Sequence, residues 1–241
     1  MAATEFWRTH GNMMVIIEAD AFKMQDPLFN VLLGAGVGNA SEIVHGTSTC
    51  VAEELLLDAL LSRRDIVFDG TLSWAPFVQQ TVAMVRGTST HQYQRGPGYR
   101  KGDDGLVREE YWTRKEELPV ACIPYLVEMV GVTVNPEVAV QRGIVRQIIS
   151  GRGVPITSQL QSHKMYSANF ESYLDLFDAS TLLDNNHVSA KTVAAKGSTI
   201  MAKEDDPKEL QILDPEAYAT FLRKQYINPD ACGSSDLYTD A

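Results

Sequence analysis

Met13-Met14-Val15-Ile16-Ile17-Glu18-Ala19-Asp20 is the stretch on which the reading of this chain turns. It is short, continuous and rich in β-branched residues, the pattern of a strand buried on both faces, and it ends on an aspartate. Asp65-Ile66-Val67-Phe68-Asp69 repeats the pattern and is closed by Gly70-Thr71. Between the two, Val51, Leu55 and Ala59 fall at helical spacing within residues 49–62, with Ser48 or Thr49 as N-cap. Strand, helix, strand in this order predicts a parallel pair joined by a helical crossover.

The pattern continues outward. Residues 74–86 read as a helix with Pro76 in its first turn, and residues 87–119 as a long polar, Gly-rich loop or insertion. A strand over 125–134, helices over 136–150 and 158–173, short strands near 181–183 and 191–195, and a helix over 215–226 follow. The expectation is an α/β fold with a mostly parallel sheet between layers of helices. One domain covers residues 1–228 and a loose tail covers 229–241. In such sheets ligands bind beyond the carboxyl ends of the strands, which is where Asp20 and Asp69 stand. Aspartate also ends strands by capping the next turn, so both readings stay open.

Composition limits the function. The chain has 241 residues, 44% of them hydrophobic and 22% charged, with a net charge of −10. That balance fits a folded domain and opposes general nucleic-acid binding. No apolar run approaches the roughly 18 residues that span a bilayer, and residues 1–12 carry no secretory apolar segment, so a cytoplasmic, non-membrane protein is expected. Cys50, Cys122 and Cys232 are far apart, which argues against a disulfide framework or a structural zinc site.

The charges are uneven. No Asp or Glu occurs from Val138 to Phe170, where Arg142, Arg146, Arg152 and Lys164 lie, nor from Gly70 to Gly102, where Arg86, Arg95, Arg100 and Lys101 lie. Local basic segments in an acidic protein suit one anionic ligand, and the arginine fork suits phosphate. Arg142 and Arg146 are four apart, so a helix puts both on one face. The alternative is a solvated face paired with acids from elsewhere. No G-x-x-x-x-G-K-[ST] occurs; Gly34-Ala35-Gly36-Val37-Gly38 reads as a flexible loop, and Lys196-Gly197-Ser198-Thr199 has the order inverted.

Glu18-Ala19-Asp20-Ala21-Phe22-Lys23, Val44-His45 with Ser48 and Ala52-Glu53, and Phe68-Asp69-Gly70-Thr71-Leu72-Ser73-Trp74 resemble the zeta-toxin-like P-loop kinases in their long eukaryotic form. Gly96-Pro97-Gly98-Tyr99, Glu110-Tyr111-Trp112, Gln141-Arg142-Gly143-Ile144-Val145-Arg146, Gly151-Arg152 and Ser162-His163-Lys164 extend the resemblance across residues 13–228. It implies a P-loop-kinase-like three-layer fold with a helical lid, and transfer of a γ-phosphate from ATP or GTP, with Mg2+, to a hydroxyl of a small molecule. In bacterial members the acceptor is a nucleotide sugar. Asp20 matches the general base, and Asp69 an acidic position near substrate and magnesium. Arg142 or Arg146, together with Arg152, match lid arginines on the donor phosphates. Lys23, His45, Thr71, His163 and Lys164 are motif positions carried as candidate substrate contacts.

The family places a first strand and a P-loop before the motif at Glu18, and the residues here before it are only Met1 to Asn12, with Glu5-Phe6-Trp7-Arg8 as the end of the helix that follows a P-loop. Loss of the P-loop lysine cripples phosphoryl transfer. Two expectations follow: the kinase of a longer form, or a catalytically inactive module that binds a nucleotide sugar or a protein.

Overall fold

The computed structural model describes residues 14–197 and 209–239. The helical end expected at Glu5–Arg8, and Ser198 and Thr199, lie outside the described residues. The chain divides into two compact units. One comprises Met1–Gly70, Ala83–Tyr125 and Gly151–Gly153; the other comprises Thr71–Val82, Leu126–Ser150 and Val154–Ala241.

In the first unit, β1 (Met14–Glu18) and β2 (Asp65–Asp69) pair in parallel, with Glu18 opposite Asp69. The crossover holds α1 (Ala19–Lys23), α2 (Pro27–Gly34), α3 (Ala40–Ile43) and α4 (His45–Leu61). Asp26 caps α2 by accepting from the Leu28 amide at 2.8 Å, and Pro27 fills the first helical position, where no N–H is missed. The segment after α2, expected as a flexible loop, is a helix-ending turn. Gly36 takes φ 74°, and the amides of Gly36 and Val37 return to the carbonyls of Leu33 and Leu32. Phe29, Ala40 and Val44 close a small core, and α4 buries Ala52, Leu56, Ala59 and Leu60.

The expected loop over 87–119 is instead an antiparallel hairpin of β3 (His91–Lys101) and β4 (Val107–Glu117). Its glycines, which read as loop signals, do local jobs inside it. A side chain at Gly96 would collide with the Glu110 carbonyl, at the register shift between Arg95 and Gly98. Gly105, with φ 75°, turns the tip. Trp112 is buried on β4, and Arg95 Nε on β3 bonds Glu53 Oε2 on α4 at 2.5 Å. This arginine of the second acid-free segment therefore sits in an ion pair.

α5 (Ala75–Gly87) runs across the boundary at Val82. The second unit contains β5 (Glu128–Thr133), α6 (Pro136–Ser150), α7 (Ile156–Tyr173), β6 (Ala179–Asp184), β7 (Lys191–Lys196), β8 (Gln211–Ile212) and α8 (Pro215–Arg223). Its sheet has the order β5-β6-β7-β8, with β5 and β6 parallel and the remaining pairs antiparallel. Tyr166, Phe170 and Tyr173 of α7, Tyr218 and Phe221 of α8, and Leu182 and Val193 of the sheet form its core. Phe170 and Phe221 meet edge to face at 5.1 Å between ring centres, a geometry the ring quadrupoles favour.

The fold is thus mixed α/β, and the expected single, mostly parallel sheet is corrected: the strands form small sheets of parallel and antiparallel pairs. Connection length gives the reason. A parallel crossover needs about a dozen residues or more, and the links 102–106 and 185–190 are too short for one, so β4 and β7 turn back. The expected loose tail is also packed through residue 239. Ile227 bridges Tyr238, and Leu237 joins Leu160 and Ile227 in a buried cluster.

Candidate functional site

β1 delivers Glu18 at its last position and opens directly into α1, whose first turn holds Asp20 and whose last turn holds Lys23. Three apart on a helix, the two side chains meet: Lys23 Nζ lies 2.8 Å from Asp20 Oδ1. Lys23 is almost fully buried and also donates to Ser41 Oγ of α3 at 3.0 Å. Burying an ammonium is costly unless it is paired and hydrogen-bonded, and Asp20 and Ser41 supply both. The Asp20 carboxylate is thereby fixed while its side chain stays 34% exposed.

Parallel register brings Asp69, the last residue of β2, beside Glu18. Burial, then the charges of Glu18 and Asp20, push the Asp69 carboxyl above its ordinary value, although the residue still reaches solvent. Arg152 Nη1 lies 3.5 Å from Glu18 Oε1. The Gly151 turn that presents it has φ 69°, and a side chain there would run into Leu33. His45 opens α4; burial, then Lys23, lower its proton affinity, with Asp20 opposing. Asp20, Lys23, His45, Asp69 and Arg152 thus share the first unit around the carboxyl ends of β1 and β2.

The other sequence candidates lie in the second unit. Arg142 and Arg146 are exposed one turn apart on α6. Thr71 Oγ1 is 2.7 Å from Ser73 Oγ, beside Leu72, which takes an uncommon left-handed φ of 53°. That turn is held by Asn169 and Tyr173 of α7, which donate to the carbonyls of Ser73 and Leu72. His163 and Lys164 are on α7, and burial, then Lys224, push the His163 imidazole down to about 4.

Three residues escaped the sequence reading. Glu18 stood in the motif at a strand end, a signal that was present. Ser41 and Lys224 carried none, because each owes its place to a partner far along the chain: Lys23 for Ser41, and Thr133 with Val134 for Lys224.

A magnesium ion takes one or two carboxylates plus phosphate and water oxygens. The Asp69 carboxylate, whose proton affinity is raised by burial and then by the charges of Glu18 and Asp20, is a donor of that kind. Among the described residues no cluster of three or more His, Cys, Asp or Glu forms a cation cage by itself, so a cation there would need phosphate oxygens to complete its shell.

Residues 1–88 match the zeta toxin family model, so the resemblance read from the motifs is shown over that segment. A calmodulin calcium-dependent NAD kinase of Arabidopsis thaliana is 36% identical over 245 residues, spanning 98% of this chain and 45% of the plant protein. The chain therefore spans about half the length of that curated relative. A solved structure from the PezAT chromosomal toxin-antitoxin system of Streptococcus pneumoniae is 15% identical, with a TM-score of 0.47, covering 78% of this chain and 65% of that one. No helix among the described residues is long and apolar enough to cross a membrane.

Proposed function

With the zeta toxin match of residues 1–88 as the premise, we propose that this chain carries machinery of an ATP-dependent phosphotransferase acting on a hydroxyl of a nucleotide-containing small molecule. The observation that carries the reading is the convergence of Asp20 and Asp69 at the ends of two parallel strands, with Lys23 and Arg152 beside them. The name of the plant relative points to NAD as the acceptor and to calmodulin as a regulatory partner.

In this reading Asp20 accepts the proton of the attacking hydroxyl. A positioned carboxylate contributes about 10²–10⁴-fold to such a step. Lys23 holds that carboxylate in place from a buried site. Asp69 contacts the acceptor and would hold magnesium, which would supply neutralisation of the phosphate charge. Arg152, tethered by Glu18, contacts donor phosphates, where a guanidinium offsets charge on the transferring group. His45, in the same unit, is an acceptor contact.

The test is NADP formation from NAD, ATP and magnesium by the protein. Turnover is expected, and Asp20→Asn should lower kcat by at least about 100-fold while ATP binding is unchanged. Unaltered kcat removes Asp20 from the chemistry. If the protein phosphorylates neither NAD nor a nucleotide sugar and still binds one, the second reading, an inactive binding module, takes over.

A further inference from the structure

The second unit holds a cavity that the kinase reading does not use. It lies at the carboxyl ends of β5 and β6, where Thr133 and Asp184 stand opposite each other in parallel register. Its volume is about 260 Å3, roughly that of nine water molecules and on the scale of one sugar ring. Lys224, just beyond α8, lines it and is 2% exposed. Its ammonium has three N–H donors. Thr133 Oγ1 and the Val134 carbonyl take two, and no acceptor among the described residues takes the third. Facing it, Asp184 Oδ1 accepts from the amide and side chain of Asn186, and Asn186 in turn bonds Asn135. Glu216, in the first turn of α8, completes the wall.

The charges select the ligand class. Asp184, Asp214 and Glu216 outnumber the Lys224 ammonium, and the His187 imidazole in the same wall, so the lining repels phosphates and carboxylates. The buried ammonium repels cations. A neutral group that both donates and accepts hydrogen bonds satisfies both signs at once. We propose that this cavity binds a neutral polyhydroxy ring, a ribose or a hexose, with Lys224 donating to one hydroxyl and the Asp184 and Glu216 carboxylates accepting from its neighbours. This assignment is independent of the roles given to Asp20 and Asp69.

Titration calorimetry of the intact chain with D-ribose, D-glucose and adenosine tests it, with inorganic phosphate and spermidine as charged probes. Saturable binding of at least one of the three neutral ligands is expected, weakened about tenfold by Glu216→Gln, because a hydrogen bond to a charged group is lost. Glu216 is exposed, so that variant keeps the fold; Lys224→Met, checked by circular dichroism, should weaken binding further. Adenosine above ribose identifies a nucleoside as the source, and hexose above both identifies a free sugar. No binding of any neutral ligand, binding indifferent to Glu216→Gln, or preferential binding of phosphate or spermidine overturns the proposal.

Discussion

The placement of Arg152 depends on the glycine that precedes it. Its reach toward Glu18 starts from Gly151, at a φ of 69° that L side chains avoid and with Leu33 against the missing Cβ. Gly151→Ala should lower stability by about 1–2 kcal/mol, read by urea unfolding, and raise hydrogen exchange over 151–153. An unchanged unfolding curve would mean that the turn relaxes freely. His163 gives a pH prediction at the same scale. Its folded value of about 4 lies below the ordinary 6.5, through burial and then the Lys224 charge. A depressed value means that stability is fully present above pH 6.5 and is lost as pH falls toward 4. The loss is at most about 3 kcal/mol, and His163→Gln should flatten it. A variant that keeps the full acid slope would assign that slope to the carboxylates instead.

At the level of elements, the β3–β4 hairpin is held by Trp112, by the Arg95–Glu53 pair and by close backbone approach at Gly96. Gly96→Ala drives a methyl group into the Glu110 carbonyl, so the strands must part there. A cost of about 1–3 kcal/mol is expected, with loss of amide protection on both sides of the bulge. Retained protection would show that the register shift absorbs a side chain. The hairpin also shows why its reading failed. Gly96, Pro97, Gly98 and Gly105 are the residues that mark loops, yet here they form a bulge and a tip inside a continuous ribbon. Only the partner strand distinguishes the two, and a single strand's composition does not contain it.

For the molecule, the second unit concentrates its burial in one aromatic cluster, where Phe221 touches Tyr166, Phe170 and Tyr218. Phe221→Ala should cost about 3–5 kcal/mol by urea unfolding, because the sheet and α7 cannot collapse fully onto the space left. A cost under about 1 kcal/mol would mean that the cluster repacks. The same organisation explains the divided list of candidate residues. Asp20, Lys23, His45, Asp69 and Arg152 fold with β1 and β2, while Thr71, Arg142, Arg146, His163 and Lys164 fold with the second unit.

What the sequence determined by itself is local in origin. The strands at Met14–Glu18 and Asp65–Asp69 and their parallel pairing, the long helices, and the motif aspartates at strand ends all follow from periodicity and from short-range connection rules. Only the tertiary structure decided that Ser41 joins Asp20 in holding a buried lysine, that Glu18 tethers Arg152, and that Lys224 lies under a polar cavity. The Lys23–Ser41, Glu18–Arg152 and Thr133–Lys224 contacts join residues 18, 134 and 91 positions apart. Their free energy comes from desolvation and pairing in the folded state, which no window of sequence records.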